Sequence, residues 1–327
     1  PVFGLLAVGD GSVSEGISIL IESHPDKFNS IGDSDSSIPF GTIFTGMMLV
    51  QLFYWGTNQA IIQRALGAQN LKEGQKGLLY AAVLKILGPL IVVLPGIIAF
   101  HMFGDSLTNP DEAYPLLVKN VLPVVLVGFF AAVLFGAILS SFNSALNSSV
   151  TLFGLGIYKE YINKDADEKT TVKAGKKFGT VLAVVSMCIA PLLIYASDGL
   201  FAYLQEVNGI YSIPILTIIV VGYMTKNVPA FAAKIGIISG SVLYILSQFI
   251  IKPYVVGADN YPHFLHVMAI LFVLNVVIML AIGKLYPRDI EYNQKYTEQV
   301  DIQPWKYATI TGLAICVIVI ATFIYFS

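Results

Sequence analysis

Gln51-Leu52-Phe53-Tyr54-Trp55-Gly56-Thr57-Asn58-Gln59 sits in the middle of an apolar run from about Ile38 to Leu66. A run of that length predicts a bilayer crossing, which takes about 20 mostly apolar residues. Its centre nevertheless carries amides, a tyrosine and a tryptophan. Polar groups in hydrocarbon cost several kcal/mol unless paired. Two readings follow. The amides line a polar site between helices, or they hold neighbouring helices together for about 1 kcal/mol each. Gly56 is expected to loosen the helix where its side chains are most unusual.

The composition points the same way. Hydrophobic residues make up 56% of the 327 and charged residues 12%, about half the charged share of a soluble domain. The expected fold class is an all-α polytopic membrane protein. A net charge of -2, with no basic stripe, gives no reason to expect a nucleic-acid partner. Cys188 and Cys316 both lie in apolar runs and read as small core residues rather than a disulfide framework. No phosphate-cradling loop, nucleophile elbow or zinc-ligand spacing occurs. The reading is therefore not an enzyme, not ATP-driven, and without a cofactor.

Taken in order, residues 1–8 look like the end of a span and 9–37 form a polar, outward loop. Within that loop Ser12 and Glu15 make a capping box for a short helix, and Asp33 and Asp35 mark a solvated stretch. Spans are expected at about 39–66, 77–103, 122–159, 178–197, 199–224, 231–251, 263–286 and 306–326. Charged loops are expected around Lys72–Lys76 and Lys159–Lys177. Pro214 should kink its span, and Gly236 with Gly240 reads as a close-packing pair. His263 and His266 read as surface residues, and Asp198 and Glu206 as solvated acids at the outer edge. With Arg64, Lys72 and Lys76 placed inside, Lys27, Lys119 and Lys252 fall outside. The other basic residues except Lys85 then gather at the inner edge, the positive-inside pattern of an inner-membrane protein with its C-terminus outside.

Lys85 lies within a span, roughly 13 Å along the helix from Lys76. Either it snorkels to the interface, or its three donors serve a buried polar solute. Ser140 and Ser141 are adjacent on a helix and offer two hydroxyls of the kind a hard cation prefers, although small residues in membrane helices also serve plain packing. Phe201 and Gln205 are one turn apart, so a ring and an amide share a face, which suits a sugar.

Tyr54-Trp55-Gly56-Thr57-Asn58-Gln59, Gln63-Arg64-Ala65-Leu66 and Glu73-Gly74-Gln75-Lys76-Gly77 resemble the sodium/solute symporter family, in particular its bacterial sodium/galactose and sodium/glucose members. The resemblance covers nearly the whole chain and matches the C-terminal portion of such proteins. It implies the second half of a five-plus-five inverted-repeat fold of the leucine-transporter type, with core helices six to ten in 38–224 and three additional helices in 225–327. It further implies Na+ as coupling ion and sodium-coupled uptake of a hexose across the bilayer by alternating access. Lys85, Gln51 and Gln205 match sugar contacts, Tyr54 and Phe201 the inner and outer gates, and Ala137, Ser140 and Ser141 the sodium motif. Gln51 departs from the galactose symporter, where asparagine stands, so sugar preference does not transfer. Other polar solutes, such as myo-inositol or sialic acid, remain open, as does a solute sensor that does not transport.

Overall fold

The structure, a computed structural model, describes residues 1–33, 36, 38–107, 109–195, 200–257, 260–289 and 300–327. All regular structure among these residues is helical, and the protein is an all-α polytopic membrane protein. Among the described residues, seven helical stretches are long and apolar enough to cross a bilayer: Leu71–Phe103, Val124–Ile162, Glu168–Leu192, Tyr203–Met224, Ala230–Val256, Phe264–Leu285 and Ala308–Tyr325. An eighth is counted if α1 (Val2–Val8) and α2 (Val13–Ser23), bent by 73°, make one span. The Ser12 hydroxyl caps α2 by accepting the Glu15 N–H at 3.3 Å.

The central run does not form the single crossing helix that its apolarity predicts. It is split into α3 (Gly46–Gly56) and α4 (Gln59–Leu66). The backbone explains where. The Phe53 carbonyl gathers the Thr57 N–H (2.9 Å), the Asn58 N–H (3.0 Å) and the Thr57 hydroxyl (2.9 Å). The Asn58 side chain then accepts the Ala60 N–H at 3.0 Å and opens α4. The break is thus made by Thr57 and Asn58, one residue beyond Gly56.

Two expected loops are also helix. Asn70 caps α5 (Leu71–Ile86) through the Glu73 N–H, so Lys72–Lys76 lie on its first turns. Lys76 pairs with Glu73 at 2.8 Å. After α5 come α6 (Gly88–Phe103) and α7 (Ala113–Val121). α8 (Val124–Thr151) continues as π-helix through Ile162, and α9 (Glu168–Ile189) begins at once after Asp167. The charged Lys159–Lys177 segment is therefore mostly helical, with only 163–167 as a turn. Hydrogen bonds from the Thr170 side chain and N–H hold the capping Asp167 carboxyl below its ordinary range.

The chain divides into two compact units. One comprises Pro1–Ser30, Gln63–Leu200 and Ile302–Ser327, the other Ile31–Ile62 and Phe201–Asp301. In the first, Leu5, Leu20, Ile97, Ile98, Ala99 and Leu117 form a buried cluster among α1, α2, α6 and α7. Gly175 and Gly179 of α9 let Val150 of α8 approach so closely that an added Cβ would lie 2.9 and 2.6 Å from it. The last helix of this unit, Ala308–Tyr325, packs on α5, and the Trp305 N–H just before it donates to Gln75 Oε1 at 2.7 Å.

In the second unit, α10 (Leu200–Met224), α11 (Ala230–Ile245, continued as π-helix to Val256) and α12 (Phe264–Leu285) join α3. Leu49, Val50, Phe53, Ile213, Leu216, Tyr244, Leu265 and Met268 make the core. The Gly236–Gly240 pair does pack closely: Asn275 Nδ2 donates to the Gly236 carbonyl at 2.9 Å, and a Cβ on Gly240 would meet Asn275 and Pro214 at 2.8 Å. Helix α10 runs through Pro214. Proline lacks the N–H that the Ile210 carbonyl, four residues earlier, takes in a regular helix. The Ser241 hydroxyl of α11 supplies the missing donor at 2.9 Å.

That substitution of donors is testable. Removing the hydroxyl with Ser241→Ala takes this donor from the half-buried Ile210 carbonyl, at a cost of about 1–3 kcal/mol. In a Pro214→Ala background position 214 regains an N–H for Ile210, and the cost of Ser241→Ala should largely vanish. Unfolding free energies of the four proteins in bicelles measure this, and equal costs in both backgrounds would refute it.

Candidate functional site

The residues singled out in the sequence fall into two sets, one in each unit. Gln51 and Tyr54 stand on α3, just before the break. Both are exposed; Gln51 Nε2 lies 3.7 Å from Met47 Sδ, and Tyr54 lies edge-on to Trp55 with ring centres 5.4 Å apart. Gln205 is half-buried on α10. Phe53 of α3 meets Tyr211 of α10 edge-on at 6.1 Å, so the helices that carry Gln51, Tyr54 and Gln205 are neighbours. Phe201 lies in the first turn of α10, but its side chain lies outside the described residues, as does Asp198.

Glu206 is not a solvated acid. Its carboxylate pairs with Lys252 at 3.1 Å, with both side chains largely covered, and its carbonyl accepts the Tyr244 hydroxyl at 2.8 Å. Gly209 explains how the tyrosine gets there: a Cβ at that position would lie 2.4 Å from its ring. His266 is likewise no free surface residue. Its Nδ1 is 3.0 Å from the Thr45 hydroxyl at the start of α3, while His263 caps α12 through the Leu265 N–H.

Lys85 and the sodium motif belong to the other unit. Lys85 occupies the last turn of α5 and is exposed. Pro89 explains why the helix is interrupted here, since it cannot provide the N–H that the Lys85 carbonyl takes in a regular helix. The Leu87 N–H turns to Leu84 instead, at 3.1 Å. A cation in a last turn also complements the negative end of the helix dipole. That is a purely structural role the sequence alone did not show.

Ala137, Ser140 and Ser141 stand exposed on α8. Ser140 borders a groove that it shares with Gln63 and Arg64 of α4. Its carbonyl accepts the Ser144 hydroxyl at 3.0 Å, and that hydroxyl in turn accepts a hydrogen bond from the Arg64 guanidinium. Gln63 Nε2 donates to the Ser144 carbonyl at 3.3 Å, and Asn147 Nδ2 to Gln63 Oε1 at 3.5 Å. The sequence reading missed this network, although Ser140, Ser144 and Asn147 follow each other at helical spacing. Among the described residues no cluster of three or more histidines, cysteines or acids could hold a transition metal. Hydroxyl and carbonyl oxygens such as those on α8 are the kind of ligand that hard cations prefer.

Comparison with known proteins fits this geometry. The profile of the sodium:solute symporter family matches residues 1–240. A protein described as "Uncharacterized symporter YidK" from Escherichia coli (strain K12) is 48% identical over 315 residues, covering 96% of this chain and 54% of that protein. A sodium/glucose cotransporter of Vibrio parahaemolyticus is 34% identical over 72% of this chain and 47% of its own length. A sodium/myo-inositol cotransporter 2 of Bos taurus is 31% identical over 79% of this chain and 42% of its own length. The chain spans about half the length of the curated relatives it matches. Its seven apolar helices and these matches lead to one assignment: the chain belongs to the sodium:solute symporter family, whose members are transporters and not enzymes.

Proposed function

We propose that this chain is the C-terminal portion of a sodium-coupled symporter that takes up a hexose by alternating access across the inner membrane, with its C-terminus outside. The observation that carries the reading is Lys85, set at the interruption of the Leu71–Phe103 span rather than inside a continuous helix. An ammonium at a helix break in a membrane can donate a hydrogen bond to a hydroxyl-rich solute. Gln51 and Gln205 would contribute amide contacts, with Tyr54 and Phe201 as inner and outer gates. Ala137, Ser140 and Ser141 would supply oxygens to Na+ from one turn of α8. The repeat architecture is that of folds in which irregular backbone at mid-membrane lines the binding site, and the α3–α4 and α5–α6 interruptions supply such backbone.

The energetics suffice. One Na+ moving down about 100 mV gains about 2.3 kcal/mol, and a tenfold gradient adds about 1.4 kcal/mol. Their sum concentrates an uncharged solute several-hundred-fold. A second solute, myo-inositol, is favoured by one observation: relatives of this chain include sodium/myo-inositol cotransporters. Counterflow with a panel of D-galactose, D-glucose and myo-inositol in proteoliposomes of the full protein decides between them, and no sodium-dependent counterflow of any would sink the symport reading.

Two substitutions test the assigned residues. Lys85→Arg keeps the charge that the helix end favours but not the compact ammonium, and Lys85→Ala removes both. If Lys85 binds solute, each variant loses a charge-assisted hydrogen bond of roughly 1.5–3 kcal/mol, or about 10- to 150-fold in solute affinity. If its role is the helix end alone, Lys85→Arg binds like the parent. Ser141→Ala should raise the sodium concentration needed for half-maximal uptake while leaving the order of preference among solutes unchanged. An unaltered sodium titration would return the serine to helix packing.

A further inference from the structure

The cluster that joins α4 to α8 meets the residues assigned above at the Ser140 carbonyl, and its wiring is directional. Ser144 has a single hydroxyl hydrogen, and it goes to the Ser140 carbonyl one turn back, at 3.0 Å. The Ser144 oxygen is then left to accept from Arg64. The chain of donors runs Arg64 to Ser144 to Ser140, and such chains strengthen each member. A second strand runs beside it, from Asn147 to the Gln63 amide and on to the Ser144 carbonyl, at 3.5 and 3.3 Å. Two neighbouring side chains of α4 thus grip one turn of α8 at two points. That turn begins at Ser140.

We infer that Arg64, seconded by Gln63, is a positioning residue that couples occupancy of the α8 cation motif to the interrupted helix pair α3–α4. The inference rests on the reading of Ala137, Ser140 and Ser141 as a sodium site. Three physical points carry it. A cation on the Ser140 and Ser141 oxygens is a like charge to the guanidinium, and the two bear on the same turn of helix. A cation that draws the Ser140 carbonyl to itself takes that acceptor from the Ser144 hydroxyl, and so disturbs the Ser144 contact with Arg64. The Thr57–Asn58 break, where the helical ladder is replaced by three donors on one carbonyl, gives α4 a joint about which it can respond. The gripping residues lie after that joint, and Tyr54 and Trp55 lie before it.

Trp55 is a built-in reporter. In the full-length protein its emission is isolated as the signal lost in Trp55→Phe, and binding of radioactive 22Na+ is measured on the same samples without solute. In the parent, the Trp55 signal should change with sodium over the same concentration range as 22Na+ binding. In Arg64→Met and in Ser144→Ala, 22Na+ should still bind while the Trp55 response is lost. In Ser144→Thr, which keeps the hydroxyl, the response should be retained. A merely structural tie between helices would not separate these two readouts. A Trp55 response of parental size in either Arg64→Met or Ser144→Ala overturns the inference, as does 22Na+ binding to the parent with no Trp55 response. No 22Na+ binding in the parent overturns the sodium reading and this inference together. Should Arg64→Met fail to fold, Ser144→Ala alone decides.

Discussion

A carbonyl inside a bilayer has no water to turn to, so every interruption of a helix must bring its own donor. This constraint organises the second unit. Pro214 removes one N–H, and the nearest replacement is a serine on the next helix. For Ser241 to reach Ile210, the two helices must be close, and Gly209 permits that by leaving room for the Tyr244 ring. Tyr244, brought in, bonds the Glu206 carbonyl and fills the core against Leu265 and Met268. On the same face of α11, one and two turns before Tyr244, Gly240 and Gly236 admit Asn275, whose amide is satisfied by the Gly236 carbonyl and the Ser239 hydroxyl. Small residues, a proline and a few hydroxyls do here what apolar burial does in water, because lipid gives helices no hydrophobic reason to associate.

The same constraint fixes where the candidate site residues stand. Both interruptions near them, between α3 and α4 and between α5 and α6, fall where a backbone donor is redirected or missing: Thr57 and Asn58 crowd onto Phe53, and Pro89 offers no N–H to the carbonyl four residues earlier, that of Lys85. These breaks turn a continuous apolar rod into two segments with an accessible end between them. Polar side chains next to such an end meet backbone groups outside the regular ladder, an arrangement suited to small polar solutes and cations.

Much of the fold was legible in the sequence. Long apolar runs mark spans because only about 20 such residues cross a bilayer, and the Gly236–Gly240 spacing correctly announced close packing. Boundaries were less legible. Lys72–Lys76 and Lys159–Lys177 are polar, but polarity says nothing against helix when Asn70 and Asp167 stand ready as caps. The central run hid its break because apolarity reports burial in lipid, not ladder continuity. Individual polar partners were the least legible of all. Nothing local in the sequence links Glu206 to Lys252, His266 to Thr45 or Arg64 to Ser144, since each pair is separated by tens of residues or more and meets only after the helices pack. The family resemblance named candidate residues that spacing alone left open between site and packing.

The Pro214 arrangement has a consequence for how the chain enters the membrane. Helix α10, released into lipid by itself, carries one carbonyl with no donor, at a cost of several kcal/mol. Helix α11 follows after the short loop 225–229 and brings the serine that removes this cost. Insertion of the two as a hairpin is therefore favoured over insertion one at a time.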